Sequence, residues 1–392
     1  LIGGKGADTL SGATGSDTYV WAKGDGNDSI NDYAYNQASD VDTLKFIDVN
    51  AADVQISRSQ YDLYVTVAST SEKITVKNYF SSDIYSNYKI EQIVFADGTK
   101  WATAALDAAP YRGTDSADAI TGTASNEVLM AAGGNDIIAS SAGIDLLFGG
   151  DGNDSLSETE IDAANALFGG TGTDTLTSGI KADFMAGGVG NDTYTLGSGA
   201  DVIAFNTGDG ADTLNTATGS AATLSLGKGI KLSDLTMQKS TSGLDLILNT
   251  NAGKTESLTL KNWFATTPQT GIAKLQVMVD TSTDYSATSL DKLKNKRIVS
   301  LNFQTLASAF KSSGTANGSA WSVMNAALTA YLASSDNMAL GGELAYQYGE
   351  GNIGALSITG AQSTLTPATF GASTQSVTVG LTLPAGQVGL TV

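Results

Sequence analysis

The sequence predicts a mainly β chain. Two solenoids of nine-residue turns alternate with small β modules, and a short helical pair and a β or extended tail follow. Three observations carry that expectation. Aspartates recur in a fixed frame, with glycines before them. An aliphatic or aromatic residue stands two places after each aspartate. The same series of short β-branched runs follows each array.

Residues 1–32 hold the shorter array. Gly3-Gly4-Lys5-Gly6-Ala7-Asp8-Thr9-Leu10 opens it, followed by Gly15-Ser16-Asp17 and Gly24-Asp25-Gly26-Asn27-Asp28. The longer array lies in 107–218. Asp118, Glu127, Asp136, Asp145 and Asp154 stand nine apart, and Asn165 follows after eleven. Asp174, Asp183, Asp192 and Asp201 return to nine, and Asp212 comes after eleven. Its fullest copies start at Gly149-Gly150-Asp151-Gly152-Asn153-Asp154, Gly169-Gly170-Thr171-Gly172-Thr173-Asp174 and Gly187-Gly188-Val189-Gly190-Asn191-Asp192.

Each part of the nonapeptide has a physical role. The glycines permit positive φ and a tight turn that exposes carbonyl oxygens. The aspartate sets a carboxylate beside them. The apolar residue two places on, such as Leu10, Tyr19, Ile138, Leu156, Leu176 or Tyr194, begins a strand and points inward. One repeat buries too little to stand alone, whereas stacked repeats share a core.

This phased array resembles the RTX, or hemolysin-type calcium-binding, family, whose pattern is G-G-x-G-x-D-x-U-x. The resemblance covers roughly residues 1–32 and 113–215. It implies a parallel β-roll with several calcium ions held between turns on the same edge, by ligands eighteen residues apart. Carried onto this sequence, the metal-binding positions are Gly4, Gly6, Asp8, Gly15, Asp17, Gly26 and Asp28 in the first array. In the second they are Gly134, Asp136, Asp145, Gly150, Gly152, Asp154, Gly170, Gly172, Asp174, Asp183, Gly188, Gly190, Asp192, Gly199, Asp201, Gly210 and Asp212. One edge should pair Asp136 with Asp154 and Asp174 with Asp192; the other should pair Asp183 with Asp201. Glu127, Asn165 and Ser140-Ser141-Ala142-Gly143 depart from the pattern, so fewer ions than repeats are expected.

Composition narrows the chemistry. Among 392 residues there is no His and no Cys, which removes Ser-His-Asp and Cys-His catalysis, His- or Cys-ligated zinc, haem, iron–sulfur clusters and disulfides. Oxygen donors remain, and they suit hard cations such as calcium. A net charge of −19 argues against nucleic acid as a partner. No apolar run reaches the roughly 18 residues of a transmembrane helix. No catalytic set is found, and the chain is expected to be part of something longer.

The first β module spans 33–106 and the second 219–284. Leu63-Tyr64-Val65-Thr66-Val67, Lys73-Ile74-Thr75-Val76 and Lys77-Asn78-Tyr79-Phe80 in the first return as Leu244-Asp245-Leu246-Ile247-Leu248, Ser257-Leu258-Thr259-Leu260 and Lys261-Asn262-Trp263-Phe264. Each reads as a cap on the open end of a solenoid, with its aromatic pair in the core. In 285–337, Leu290, Leu293, Ile298, Leu301, Leu306 and Phe310, then Val323, Ala327, Leu328, Tyr331 and Leu332, suggest two amphipathic helices. Lys292, Lys294, Lys296 and Arg297 read as a solvated face. Residues 338–392 carry no charged side chain after Glu350 and resemble the uncleaved export signal of type I secreted proteins. This tail is expected to serve export and to be dispensable for calcium-induced folding.

The functional expectation is a calcium-binding structural or adhesin-type protein, secreted or at the cell surface, or the C-terminal part of one. Its expected partners are the type I secretion machinery and cell-surface components or further copies of itself. The alternative is the export and folding module of an enzyme or pore-forming toxin whose active region lies upstream.

Overall fold

The computed structural model describes residues 1–35, 40–59, 61–81, 86–158, 163–217, 220–253, 255–333, 336–383 and 390. The chain divides into two compact units, Leu1–Gly113 and Thr114–Val392. Both are mainly β, and both begin as a parallel β-roll.

In the first unit, Thr9–Leu10 pairs in parallel with Ser29–Ile30, which pairs in parallel with Lys73–Val76. Leu63–Val67 and Val54–Arg58 extend that sheet in antiparallel fashion. In a second sheet Thr18–Trp21, Thr43–Phe46 and Gln92–Val94 run parallel, and Lys100–Ala102 closes antiparallel. Along Leu63–Val67 alternate residues are buried, the period-two pattern of a strand with one face on a core. Tyr19, Ile30, Leu44, Phe46, Val65 and Ile93 meet in that core.

The second unit is a longer roll. One sheet stacks Val128–Gly133, Leu146–Asp151, Ala166–Gly172, Phe184–Gly190, Val202–Phe205 and Ala222–Leu226, all parallel. The other stacks Ala119–Thr121, Ile137–Ser140, Ser155–Glu158, Thr175–Thr177, Thr193–Thr195 and Ala211–Asn215. Leu129, Ile138, Leu147, Leu156, Leu167, Leu176, Met185, Tyr194, Ile203 and Leu214 point between the sheets and are 0% exposed. The eleven-residue spacing from Leu156 to Leu167 leaves the strand registers intact, because the two extra residues lie in sequence between the strands Ser155–Glu158 and Ala166–Gly172.

Each roll ends in an antiparallel module. Ser257–Leu260 adds in parallel to Ala211–Asn215, and Leu246–Asn249 and Thr236–Lys239 then reverse direction. The repeated Lys-Asn-aromatic-Phe motif builds the same corner twice. Lys77 pairs with Asp62 at 2.8 Å while the Asn78 N–H donates to Asp62. Lys261 pairs with Asp245 at 2.9 Å while the Asn262 N–H donates to Asp245. Both asparagines are left-handed, with φ of 57° and 55°, a conformation that asparagine tolerates better than most residues. Tyr79 and Trp263 are buried there, and Phe80 and Phe264 half-buried.

Residues 285–337 are less helical than the spacing suggests. Ile298–Asn302 is a strand antiparallel to Ile272–Met278, and Leu290 is fully exposed. The β-branched Ile298 and Val299 favour extended backbone. The helix begins only at Phe303, where the Asn302 side chain accepts the Thr305 N–H at 2.8 Å, and runs to Ser312. The second expected helix shrinks to the single turn Ala327–Ala330 between Trp321–Ser322 and Tyr331–Leu332; Ser334 lies outside the described residues. Of the basic cluster, Arg297 pairs with Asp280 at 3.1 Å and Lys296 with Asp336 at 3.8 Å.

The tail departs furthest from expectation. Gly342–Glu350 and Ile358–Leu365 are helices, and Thr374–Ser376 pairs with Met338–Leu340. Gly341 and Gly351 bracket the first helix in left-handed conformations, which end it cleanly. Leu344, Tyr346, Tyr348, Leu356, Leu365 and Phe370 pack against Val128, Phe148, Phe168 and Phe184 on the outer face of one roll sheet. The tail is therefore structural and covers the roll. Residues 384–389 and 391–392 of the expected export segment lie outside the described residues. Among the described residues no helix is long and apolar enough to cross a membrane.

Candidate metal centre

The roll's aspartates sit at the turns, each one residue before a strand. One oxygen of each is used by the main chain. The Asp118 N–H donates to Asp136 Oδ1 at 2.7 Å, and the Asp136 N–H donates to Asp154 Oδ1 at 2.8 Å. Asp154 donates to Asp174, Asp174 to Asp192 and Asp192 to Asp212, at 2.8, 2.8 and 2.9 Å. The opposite edge repeats this from Glu127 to Asp145, Asn165, Asp183 and Asp201, at 2.9, 2.7, 2.8 and 3.0 Å. Carboxylates from successive coils are thus stacked in two columns.

The other oxygen decides the chemistry. Oδ2 of Asp136, Asp154, Asp174 and Asp192 is buried with no hydrogen-bond partner. Burial holds the Asp174 carboxyl at about 7 and Asp192 at about 6, well above the ordinary carboxylate range. Asp136 and Asp154 are pushed up for the same reason, with the neighbouring carboxylate adding to it. A buried charge without a partner is costly, so these oxygens call for a proton or a cation.

The glycines leave room for the cation. A methyl group at Gly149 would strike Asp154 Oδ2 and the Gly169 carbonyl oxygen; one at Gly169 would strike Asp174 Oδ2 and the Gly187 carbonyl oxygen. Carboxylate and carbonyl oxygens therefore converge over bare Cα atoms. Gly152, at φ 132°, has a further constraint, since a side chain there would meet the Gly134 carbonyl of the preceding coil. Among the described residues no three acidic side chains form one group, so the donor set fitted to a cation is mixed, with carboxylate and main-chain oxygen together. Oxygen donors of this kind suit calcium.

The model for the RTX calcium-binding nonapeptide repeat matches residues 1–20, 112–138, 130–157 and 168–203. This chain carries RTX calcium-binding nonapeptide repeats. The haemolysin-type calcium binding protein related domain matches 62–105, within the first β module. The RTX chain is 33% identical over 104 residues to iron-regulated protein FrpA of Neisseria meningitidis serogroup C, a match covering 26% of this chain and 9% of that relative's length. The extracellular lipase LipA from Serratia marcescens is a structural neighbour at 12% identity, covering 66% of this chain and 37% of the lipase chain. Its TM-score of 0.18 carries no argument.

The RTX positions read from the sequence fall unevenly into this geometry. Asp136 with Asp154, Asp174 with Asp192, and Asp183 with Asp201 are brought together as expected. Asp201 is already satisfied, because Ser178 Oγ donates to its Oδ2 at 3.1 Å. Glu127 is turned back onto the Thr123 hydroxyl at 2.9 Å. In the first unit Asp8 donates its N–H to Asp28 Oδ1 at 2.9 Å, and Asp8 Oδ2 is buried without a partner. Asp17 pairs with a residue that the frame missed: its N–H donates to Asp42 at 2.7 Å. Asp42-Thr43-Leu44 echoes Asp8-Thr9-Leu10, and that echo was the available signal. Asp209 was also missed. It accepts the Asn206 N–H at 2.7 Å and the Tyr348 hydroxyl at 3.2 Å.

Proposed function

We propose that this chain is a calcium-folded structural part of a secreted or cell-surface protein, with the type I secretion machinery as its route out and an adhesin-type role outside. The supporting observation is the column of buried, unpartnered carboxylate oxygens at Asp136, Asp154, Asp174 and Asp192. Without cations these carboxylates oppose the fold; with cations they hold successive coils together. If a site has a Kd of about 10⁻⁴–10⁻³ M, ~10 mM calcium adds about 1.4–2.7 kcal/mol per site. A handful of sites then rivals a domain's whole stability of about 5–15 kcal/mol. Submicromolar calcium adds nothing, which leaves the chain unfolded inside a cell and fit for export. The absence of cysteine suits such a route.

Far-UV circular dichroism of the full chain tests this. In EDTA the β signal should be weak, and millimolar calcium should restore it. Magnesium should not substitute, since it demands octahedral geometry and keeps its waters. A β spectrum indifferent to calcium would remove the basis of the proposal.

A further inference from the structure

The edge that carries Asn165 breaks the RTX pattern, yet it too contains a buried carboxylate oxygen without a hydrogen-bond partner. Asn165 is a neutral substitute in the column: its Oδ1 accepts the Asp145 N–H at 2.7 Å, as an aspartate would, without contributing charge. Asp201 has its second oxygen occupied by the Ser178 hydroxyl. Asp183 has no such donor. It is 0% exposed, and its Oδ2 has no hydrogen-bond partner.

What faces Asp183 is Glu158, from outside the nonapeptide frame. Glu158 ends the strand Ser155–Glu158, where the sequence spaces Leu156 from Leu167 by eleven residues. Its Oε2 accepts the Gly179 N–H at 3.1 Å, which fixes the carboxylate against the next coil. It lies within hydrogen-bonding reach of the Asn165 and Asp183 side chains, and Oε1 is buried without a partner. Two carboxylates thus meet in the interior, and Glu158 Oε1 and Asp183 Oδ2 have no hydrogen-bond donor although Gly179 and Asn165 are near. Only a proton or a cation can sit there.

We propose that Glu158 and Asp183 form a calcium site of their own on the otherwise degenerate edge, with Glu158 supplying the charge that Asn165 lacks. Burial raises both carboxyls, Glu158 to about 7, as expected of a pair that shares one cation or proton. The site rests on the calcium reading of the chain, and it is a single site, since neither Asn165 nor Asp201 continues it.

Native mass spectrometry of the full chain in calcium counts the ions. Glu158→Gln should bind one ion fewer than the wild type while keeping its calcium-induced β spectrum. The Glu158→Gln/Asn165→Asp double variant should regain that ion. An unchanged ion count in a folded Glu158→Gln chain would overturn the site and leave a shared proton as the explanation. A Glu158→Gln chain that fails to fold in calcium and is not repaired by Asn165→Asp would overturn it too, since missing charge would not be the defect. A wild type that binds no ion at all would sink the calcium reading itself, a result distinguishable from the others.

Discussion

At Asp154 the two carboxylate oxygens have separate duties. Oδ1 takes the Asp136 N–H, and Oδ2 is left for a cation. Substitutions can separate them. Asp154→Asn keeps an acceptor for the N–H and removes the charge, so it should shift the calcium midpoint several-fold upward while leaving the calcium-free fold no worse. Asp154→Ala should lose both and cost more. Asp201→Asn should scarcely move the midpoint, because Ser178 already occupies Oδ2. Calcium titrations followed by circular dichroism compare the three, and equal shifts would mean that the columns are interchangeable. Gly152→Ala acts through the backbone. Positive φ and the facing Gly134 carbonyl should together cost on the order of 2 kcal/mol or more in calcium, read by urea unfolding.

At the scale of the elements, buried carboxyls give the roll a pH response that calcium should reverse. Asp174, Asp192, Asp201 and Asp212 are held at about 7, 6, 8 and 8 by burial. In the unfolded chain they return to about 4. The folded, cation-free roll therefore binds more protons than the unfolded chain between about pH 4 and 8, and its stability falls as pH rises through that window. In EDTA, the residual β signal should be larger at pH 5 than at pH 8; in calcium, which needs the ionised form, that difference should shrink or invert. A calcium-free chain more stable at pH 8 would contradict the burial of these groups. The roll strands themselves were legible from the nonapeptide, because one inward residue per turn is enough to set register. What covers them was less legible. Ser155-Leu156-Ser157 and Thr193-Tyr194-Thr195 alternate, as strands with one wet face do, but Leu146-Leu147-Phe148 and Phe184-Met185-Ala186 are continuous, as strands buried on both faces are. That contrast announces a covering layer on one sheet alone. The helix Gly342–Glu350 supplies it, and burial on nearly every side, with glycines at both ends, leaves it no amphipathic spacing to read. Glu158 and Asp42 escaped the frame for a simpler reason, namely that neither stands nine residues after another aspartate of the array.

For the whole molecule, the tail's packing changes what truncation should do. A chain ending at Asp336 would expose Phe148, Phe168 and Phe184 along one sheet. It should bind a hydrophobic dye and aggregate even in calcium, whereas a tail needed for export alone would leave a well-folded product. Leu344→Ala, at a fully buried position in that layer, should cost about 2–5 kcal/mol without altering the number of ions bound. The two units also have separate cores, so residues 1–113 and 114–392 made as separate chains should each show a calcium transition of their own. A fragment that stays unfolded at every calcium concentration would show that its unit is not autonomous.

The direction of the aspartate hydrogen bonds has a further consequence. Along the column an aspartate N–H goes to the carboxylate of the coil after it, while Asn135, Asn153 and Asn191 accept N–H groups from the coil after theirs. In the aspartate column a coil is therefore complete only once its C-terminal neighbour is in place, and the last, at Asp212, is completed by the cap strand Ser257–Leu260. In its aspartate column the array is polar, with an open end toward the N-terminus and a closed end at the cap. Damage at the closed end, for instance a proline at Leu258, should abolish ordering along the entire roll. The same insult at Ile120 should fray one coil and leave the rest protected in hydrogen exchange. Such polarity would let a chain that emerges C-terminus first order each coil against a finished template.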